Sequence, residues 1–175
     1  MRQLVYSVAT SLDGFIAGPK DEYDWIIQDP TIDFSEVFRQ FDTIVMGRRC
    51  YEFMLREGRS PKEFGMKAYV ASTTLDAAQH PDVTIISSDL SKAVVELKKK
   101  SGKDIWLFGG GSTFRGLLDA GVVDRVELSV IPVLLGGGIP LVPEGRRWPL
   151  RLKDSRTFPS GIVSLTYYVA TEPQL

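Results

Sequence analysis

A chain of 175 residues can bury roughly 70% of the surface that its unfolded state exposes, so no disulfide or metal staple is needed, and its length reads as one domain over residues 1–175. Lys plus Arg number 21 against 22 Asp plus Glu, with no basic stripe, which argues against nucleic acid as a partner. One cysteine, Cys50, and one histidine, His80, cannot build a disulfide or a zinc-spaced cluster, and the opening apolar run is too short for a signal peptide or membrane span, so a soluble cytoplasmic protein is expected.

Residues 3–9 alternate and are β-branched or aromatic, which predicts a strand, and Ser11-Leu12-Asp13-Gly14 turns the chain into a second short strand, Phe15-Ile16-Ala17. Ile32, Phe34, Val37, Phe38 and Phe41 fall near helical spacing and predict a helix ending around Phe41. A buried strand follows at Thr43 to Met46, a helix from Arg48 to about Glu57, and strands at Lys67 to Ala71 and Val83 to Ile86. Leu90, Val94, Val95 and Leu97 fit a helix whose end carries Lys98-Lys99-Lys100, basic charge that complements the helix C-terminus. Ile105 to Phe108 is apolar throughout, as in a strand covered on both faces; Ser112 is placed to cap a helix through Asp119, and a long strand is expected from Val122 to Val133. Leu152 to Phe158 and Ile162 to Ala170, joined by Pro159-Ser160-Gly161, read as a closing antiparallel hairpin. The alternation describes an α/β fold: a mostly parallel sheet with an antiparallel hairpin at its edge.

Chemistry concentrates where two predicted strands run into glycine and then helix, at Val45-Met46-Gly47-Arg48-Arg49 and at Leu107-Phe108-Gly109-Gly110-Gly111-Ser112. Glycine lets backbone N–H groups approach a ligand, and the helix N-terminus behind it offers unpaired donors and positive dipole charge, so each segment is a candidate anion seat. Arginine in a first helical turn opposes that dipole, a conflict that a bound phosphate would remove. The other reading is a tight turn with a solvated arginine pair. There is no G-x-G-x-x-G fingerprint with a following ribose-binding acid, so an ordinary Rossmann site is not indicated. Asp13 reads as a turn residue, His80 as a surface histidine, and Cys50 as a packed thiol. Trp25 and Phe34 are either core aromatics or the floor of a substrate cleft. Gly136-Gly137-Gly138 is either a mobile substrate-side loop or a bulged connection.

In order along the chain, Ser11-Leu12-Asp13-Gly14-Phe15-Ile16-Ala17-Gly18, Val45-Met46-Gly47-Arg48-Arg49-Cys50-Tyr51-Glu52, Phe108-Gly109-Gly110-Gly111 and Val130-Ile131-Pro132-Val133-Leu134-Leu135-Gly136 resemble the dihydrofolate reductase-like superfamily. The closest branch contains the C-terminal reductase domain of bacterial riboflavin biosynthesis. The resemblance implies a three-layer sandwich, NADPH as cofactor, reduction of a pyrimidine or pterin-like heterocycle, and a homodimer. It implies that Ala9 and Ile16 face the nicotinamide, that Gly47, Arg48 and Arg49 hold the 2′-phosphate side, that Ser72 and Thr73 line that groove, and that Gly109, Gly110, Gly111 and Ser112 take the pyrophosphate. Folate reductases place a carboxylate on the helix after the tryptophan. Here no acid falls squarely in register, and Asp33 is the candidate. The implied substrate is 5-amino-6-(5-phosphoribosylamino)uracil; dihydrofolate reduction and non-catalytic NADP binding are the alternatives.

Overall fold

The computed structural model describes residues 1–170; the last five residues of the expected domain lie outside the described residues. In chain order the elements are β1 (Leu4–Ser11), β2 (Phe15–Ala17), α1 (Phe34–Arg39), β3 (Phe41–Gly47), α2 (Arg48–Arg56), β4 (Lys67–Ala71) and β5 (Thr84–Ile86). There follow α3 (Leu90–Lys99), β6 (Asp104–Gly109), α4 (Gly111–Asp119), β7 (Arg125–Ile131), β8 (Ile139–Pro140), β9 (Leu150–Thr157) and β10 (Val163–Val169). Eight strands form one sheet in the order β5-β4-β3-β6-β1-β7-β10-β9, and β2 pairs with β8 in a separate two-stranded ribbon. The strands from β5 to β7 are parallel, while β10 runs antiparallel to β7 and β9 antiparallel to β10.

Because successive side chains of a strand point to opposite faces, the central strands split their residues between two cores. Leu4 and Tyr6 of β1 and Ile105 and Leu107 of β6 join Val94 and Leu97 of α3 and Phe114, Leu117 and Leu118 of α4. Val5, Ile44, Met46 and Trp106 join Tyr51 and Met54 of α2 on the other face, with Phe38 of α1 against them. The result is helices, sheet, helices, and it explains why β6 is apolar at successive positions. Tyr6 stacks on Phe114 at a centroid distance of 3.9 Å, and Trp106 lies between Phe38 and Phe108 at 4.9 and 5.1 Å. Each fully buried aliphatic side chain of these strands contributes roughly 1.5–3 kcal/mol relative to exposure.

Several expected boundaries move. The first helix is only six residues long, capped by Asp33, whose Oδ1 accepts from the N–H groups of Ser35 and Glu36 at 2.9 and 3.3 Å. Phe41 opens β3 instead of closing the helix, because its ring is buried against Trp106; tertiary packing captures a residue that helical spacing also fitted. Helix α4 is capped by Gly110, with no side-chain cap. Ser112 stands two positions inside, and a side chain caps from the position before the first helical residue. Lys98 does not serve its own helix end: Nζ reaches Asp124 at 2.6 Å and the Val122 carbonyl at 3.1 Å, tying α3 to the start of β7. Strand β7 covers only the middle of the expected 122–133 run, since Val122 and Val123 pack into the core ahead of the ladder. The glycine-rich connection 136–138 leads into β8, which pairs with β2 across a register shift between Phe15 and Ala17, and Gly138 lies at the edge of the cavity described below.

Candidate active site

Helix α2 leaves β3 toward one face of the sheet and α4 leaves the adjacent β6 toward the other, so the strand ends between them open into a crevice, the usual ligand position in parallel α/β sheets. A cavity of about 660 Å³ fills it. Its floor is the C-terminal part of β1 (Ser7, Val8, Ala9) with Trp106 and Phe108 of β6, and its roof is the β2–β8 ribbon, which contributes Ile16, Ala17, Ile139 and Pro140. Asp13 holds that roof in place: it accepts hydrogen bonds from Ser11 Oγ at 2.6 Å and from the N–H groups of Leu135 and Gly136 at 3.1 and 2.8 Å. These bonds, that of Ser11 foremost, hold its carboxyl below the usual range.

Both predicted anion seats open on this cavity. Gly47 is the N-cap of α2 and Gly110 that of α4, and neither helix start has a side-chain cap. The first N–H groups of two helices therefore face one space without a side-chain acceptor. Contacts within the protein already favour glycine here. A Cβ on Gly111 would lie 2.7 Å from the Pro140 carbonyl oxygen, and one on Gly47 would collide with the Thr113 hydroxyl.

The cavity brings together Ala9, Ile16, Gly47, Arg48, Arg49, Gly109, Gly110, Gly111 and Ser112. It does not bring together the remaining candidates. Asp33 is an exposed helix cap outside the cavity, and the two carboxylate bonds to Ser35 account for it. Phe34 is exposed and stacks on Phe38, while Trp25 donates its indole N–H to the Glu22 carbonyl at 3.0 Å, and neither lines the cavity. Ser72 and Thr73 also lie outside the lining. Ser72 Oγ accepts from Thr74 and Leu75 N–H groups, and Thr74 Oγ1 accepts from Arg48, so this turn braces an arginine of the site. Asp29, another acid after Trp25, is buried and ties its loop to the β9–β10 turn by accepting from Ser160 N–H at 3.0 Å.

The arginines are not left opposing the helix dipole. Arg48 Nε lies 2.6 Å from Glu52 Oε1, and Asp21 takes Arg49 at 2.8 Å and Arg56 at 3.4 Å. Carboxylates thus satisfy them within the protein, and an incoming phosphate would compete for exposed pairs worth about 0–1 kcal/mol each. Burial pushes the Cys50 thiol up to about 11, the behaviour of a packed residue and not of an activated nucleophile. His80 Nδ1 lies 3.0 Å from the Tyr51 hydroxyl, away from the cavity lining.

Sequence reading missed the far wall. Cys50, Phe53, Met54 and Glu57 of α2 and its C-cap line the cavity together with Tyr23. Their i, i+3, i+4, i+7 spacing was a visible signal of one helix face. The ribbon residues Ile139 and Pro140 carried no comparable signal, because a two-residue strand has no period to read.

The family model for the RibD C-terminal domain matches residues 2–164. The Bacillus subtilis protein YyaP, itself uncharacterized, is 36% identical over 95% of both chains. A Shewanella protein assigned to riboflavin biosynthesis aligns with a TM-score of 0.81 at 25% identity, over 97% of this chain and 99% of the other. Dihydrofolate reductase from Enterococcus faecalis, complexed with NADP(H) and RAB-propyl, shares the fold with a TM-score of 0.68 at 19% identity, over 95% of this chain and 96% of its own. Sheet order, crevice and sequence match converge: the chain belongs to the RibD C-terminal domain family, on a dihydrofolate reductase-like fold.

Proposed function

We propose that the protein is an NADPH-dependent oxidoreductase that reduces a pyrimidine or pterin-like heterocycle, with 5-amino-6-(5-phosphoribosylamino)uracil as the first substrate to test. Family membership supports a reductase of pyrimidine-reductase type. The observation that carries the cofactor reading is the pair of uncapped helix N-termini opening on one cavity beside two arginines. Such an arrangement suits a ligand with more than one phosphate, and a guanidinium adds a multi-donor partner for a phosphate monoester.

In this reading the N–H groups behind Gly110 and Gly111 hold the pyrophosphate, and Arg48 and Arg49 exchange Glu52 and Asp21 for the 2′-phosphate. The smaller cavity of about 420 Å³ between α3 and α4, which shares Ser112 and Thr113 with the main one, has room for the base. When bound, the nicotinamide supplies the hydride. The chain supplies position: Ala9, small and at the floor, and Ile16 in the roof hold a flat ring between them, and the apolar walls of Phe53, Met54 and Phe108 keep water from the reacting face. Dihydrofolate reduction is the weaker reading on the resemblance, since Asp33, the carboxylate that the resemblance offered for it, lies outside the cavity, whose lining acids are Asp21 and Glu57. A homodimer and a cytoplasmic location remain part of the proposal.

Calorimetric titration with NADPH and NADH, followed by NADPH oxidation with the ribosylaminouracil and dihydrofolate, tests this reading. NADPH-selective binding with turnover of a heterocycle is expected. Tight binding without turnover across a heterocycle panel would favour a non-catalytic nucleotide-binding protein, and no binding of either nucleotide at millimolar concentration would refute the proposal.

A further inference from the structure

Helix α2 carries charge opposed to its dipole at its C-terminus as well as at its N-terminus. Its C-cap is Glu57, a carboxylate where the helix presents negative partial charge, a placement that disfavours the helix. Arg49 and Arg56 are occupied by Asp21, and Arg59 by Glu63 at 3.1 Å. Among the described residues no cation pairs with Glu57. Tyr23 instead donates its hydroxyl to Glu57 Oε2 at 3.0 Å, and the Tyr23 ring stands edge-on to Phe53 at 5.7 Å. Both Tyr23 and Glu57 line the main cavity, and the nine residues of helix between Gly47 and Glu57 put the carboxylate about 15 Å from that anion seat at 1.5 Å per residue step. Glu57 Oε1 is left without a hydrogen-bond partner among the described residues.

We propose that Glu57, steadied by Tyr23, is the group that orients the substrate ring, accepting hydrogen bonds from adjacent N–H groups on the edge of a nitrogen heterocycle. The assignment rests on the heterocycle reading above and deepens it. A carboxylate accepts only, so this end of the cavity selects ring edges rich in N–H donors and discriminates against rings whose edge carries an anionic group. Phe53 and Met54, one turn earlier on the same face, supply the apolar surface against which such a ring lies flat.

The test uses the full chain and two probes, 2,4-diaminopyrimidine and the pyrimidine carboxylate orotate, titrated calorimetrically into wild type, Glu57→Gln, Glu57→Asp and Tyr23→Phe. Wild type should prefer the diaminopyrimidine. Glu57→Gln should weaken it at least about tenfold, as expected for loss of charge-assisted bonds, Glu57→Asp should recover part of that loss, and Tyr23→Phe should cost about threefold. NADPH affinity should stay within twofold in all of them. Glu57 is exposed, so these variants should fold, which circular dichroism checks. Equal binding of the diaminopyrimidine by wild type and Glu57→Gln, or no preference over orotate in wild type, would overturn the assignment. Loss of NADPH binding in wild type with Glu57-dependent diaminopyrimidine binding intact would instead sink the reductase reading alone.

Discussion

Replacing Arg48 and Arg49 together by alanine separates a cofactor role from a structural one. Each side chain is exposed and paired in the structure, Arg48 with Glu52 at 2.6 Å and Arg49 with Asp21 at 2.8 Å. Binding a 2′-phosphate through either arginine gains about 1.5–3 kcal/mol for a charge-assisted hydrogen bond and gives up about 0.5 kcal/mol of exposed ion pair. The net is about 1–2.5 kcal/mol per arginine, or about 2–5 kcal/mol for both. At 1.4 kcal/mol per factor of ten, NADPH should weaken roughly 30-fold to several thousand-fold in the double variant. NADH, which lacks that phosphate, should weaken less than about threefold, because the proposed pyrophosphate seat at Gly110 and Gly111 is untouched. Folding stability should barely change: losing the surface pairs costs a few tenths of a kcal/mol, and removing cations from a helix N-terminus returns about as much. Calorimetry with both nucleotides and thermal unfolding of the free proteins measure all three quantities. Equal weakening of the two nucleotides would refute the 2′-phosphate role, and a drop of several kcal/mol in stability would show that the arginines are structural.

Gly111→Ala should push α4 away from the β2–β8 ribbon, since the added Cβ meets the Pro140 carbonyl oxygen at 2.7 Å and backbone cannot yield as a side-chain tip would. A loss of about 1–3 kcal/mol, with NADPH binding impaired, is expected from thermal unfolding and titration, and unchanged values would contradict the close packing described. With its pKa at about 11, the Cys50 thiol should be alkylated by iodoacetamide at pH 8 roughly a hundredfold more slowly than an ordinary cysteine. The raised pKa also means that its contribution to stability is complete below the unfolded-state value near 8.5 and is lost as pH rises toward 11. Asp29 is held below the usual carboxylate range by its bonds from the Ser160 turn and Thr31, so its contribution is present above the unfolded-state value near 3.9 and is lost as pH falls below it. Asp29→Asn should lower the melting temperature at pH 7 and shrink the difference between pH 7 and pH 3, and an unchanged difference would remove this role from Asp29.

Local signals in the sequence were sufficient wherever one element decides its own structure. The apolar run of β6, the glycine-to-helix turns after β3 and β6, and the Pro159-Ser160-Gly161 hairpin each follow from side-chain period, backbone freedom or turn chemistry, and the cavity gathers both glycine turns. Arg48 and Arg49 could be placed beside the seat for the same reason, because a residue one step past a strand end has little freedom of position. Position alone did not reveal Glu52 and Asp21 as their partners. Asp33 shows the limit from the other side: no acid after Trp25 falls squarely in register, and the candidate caps a short, peripheral helix α1 with its carboxylate. Which acid faces the cavity depends on how α2 lies across the sheet, and that is set by packing of Tyr51 and Met54 against Ile44, Met46 and Val70. Glu57, Tyr23 and the β2–β8 roof come together across separations of tens to more than a hundred residues. Such meetings are decided by burial of distant apolar faces, which no local window of sequence contains.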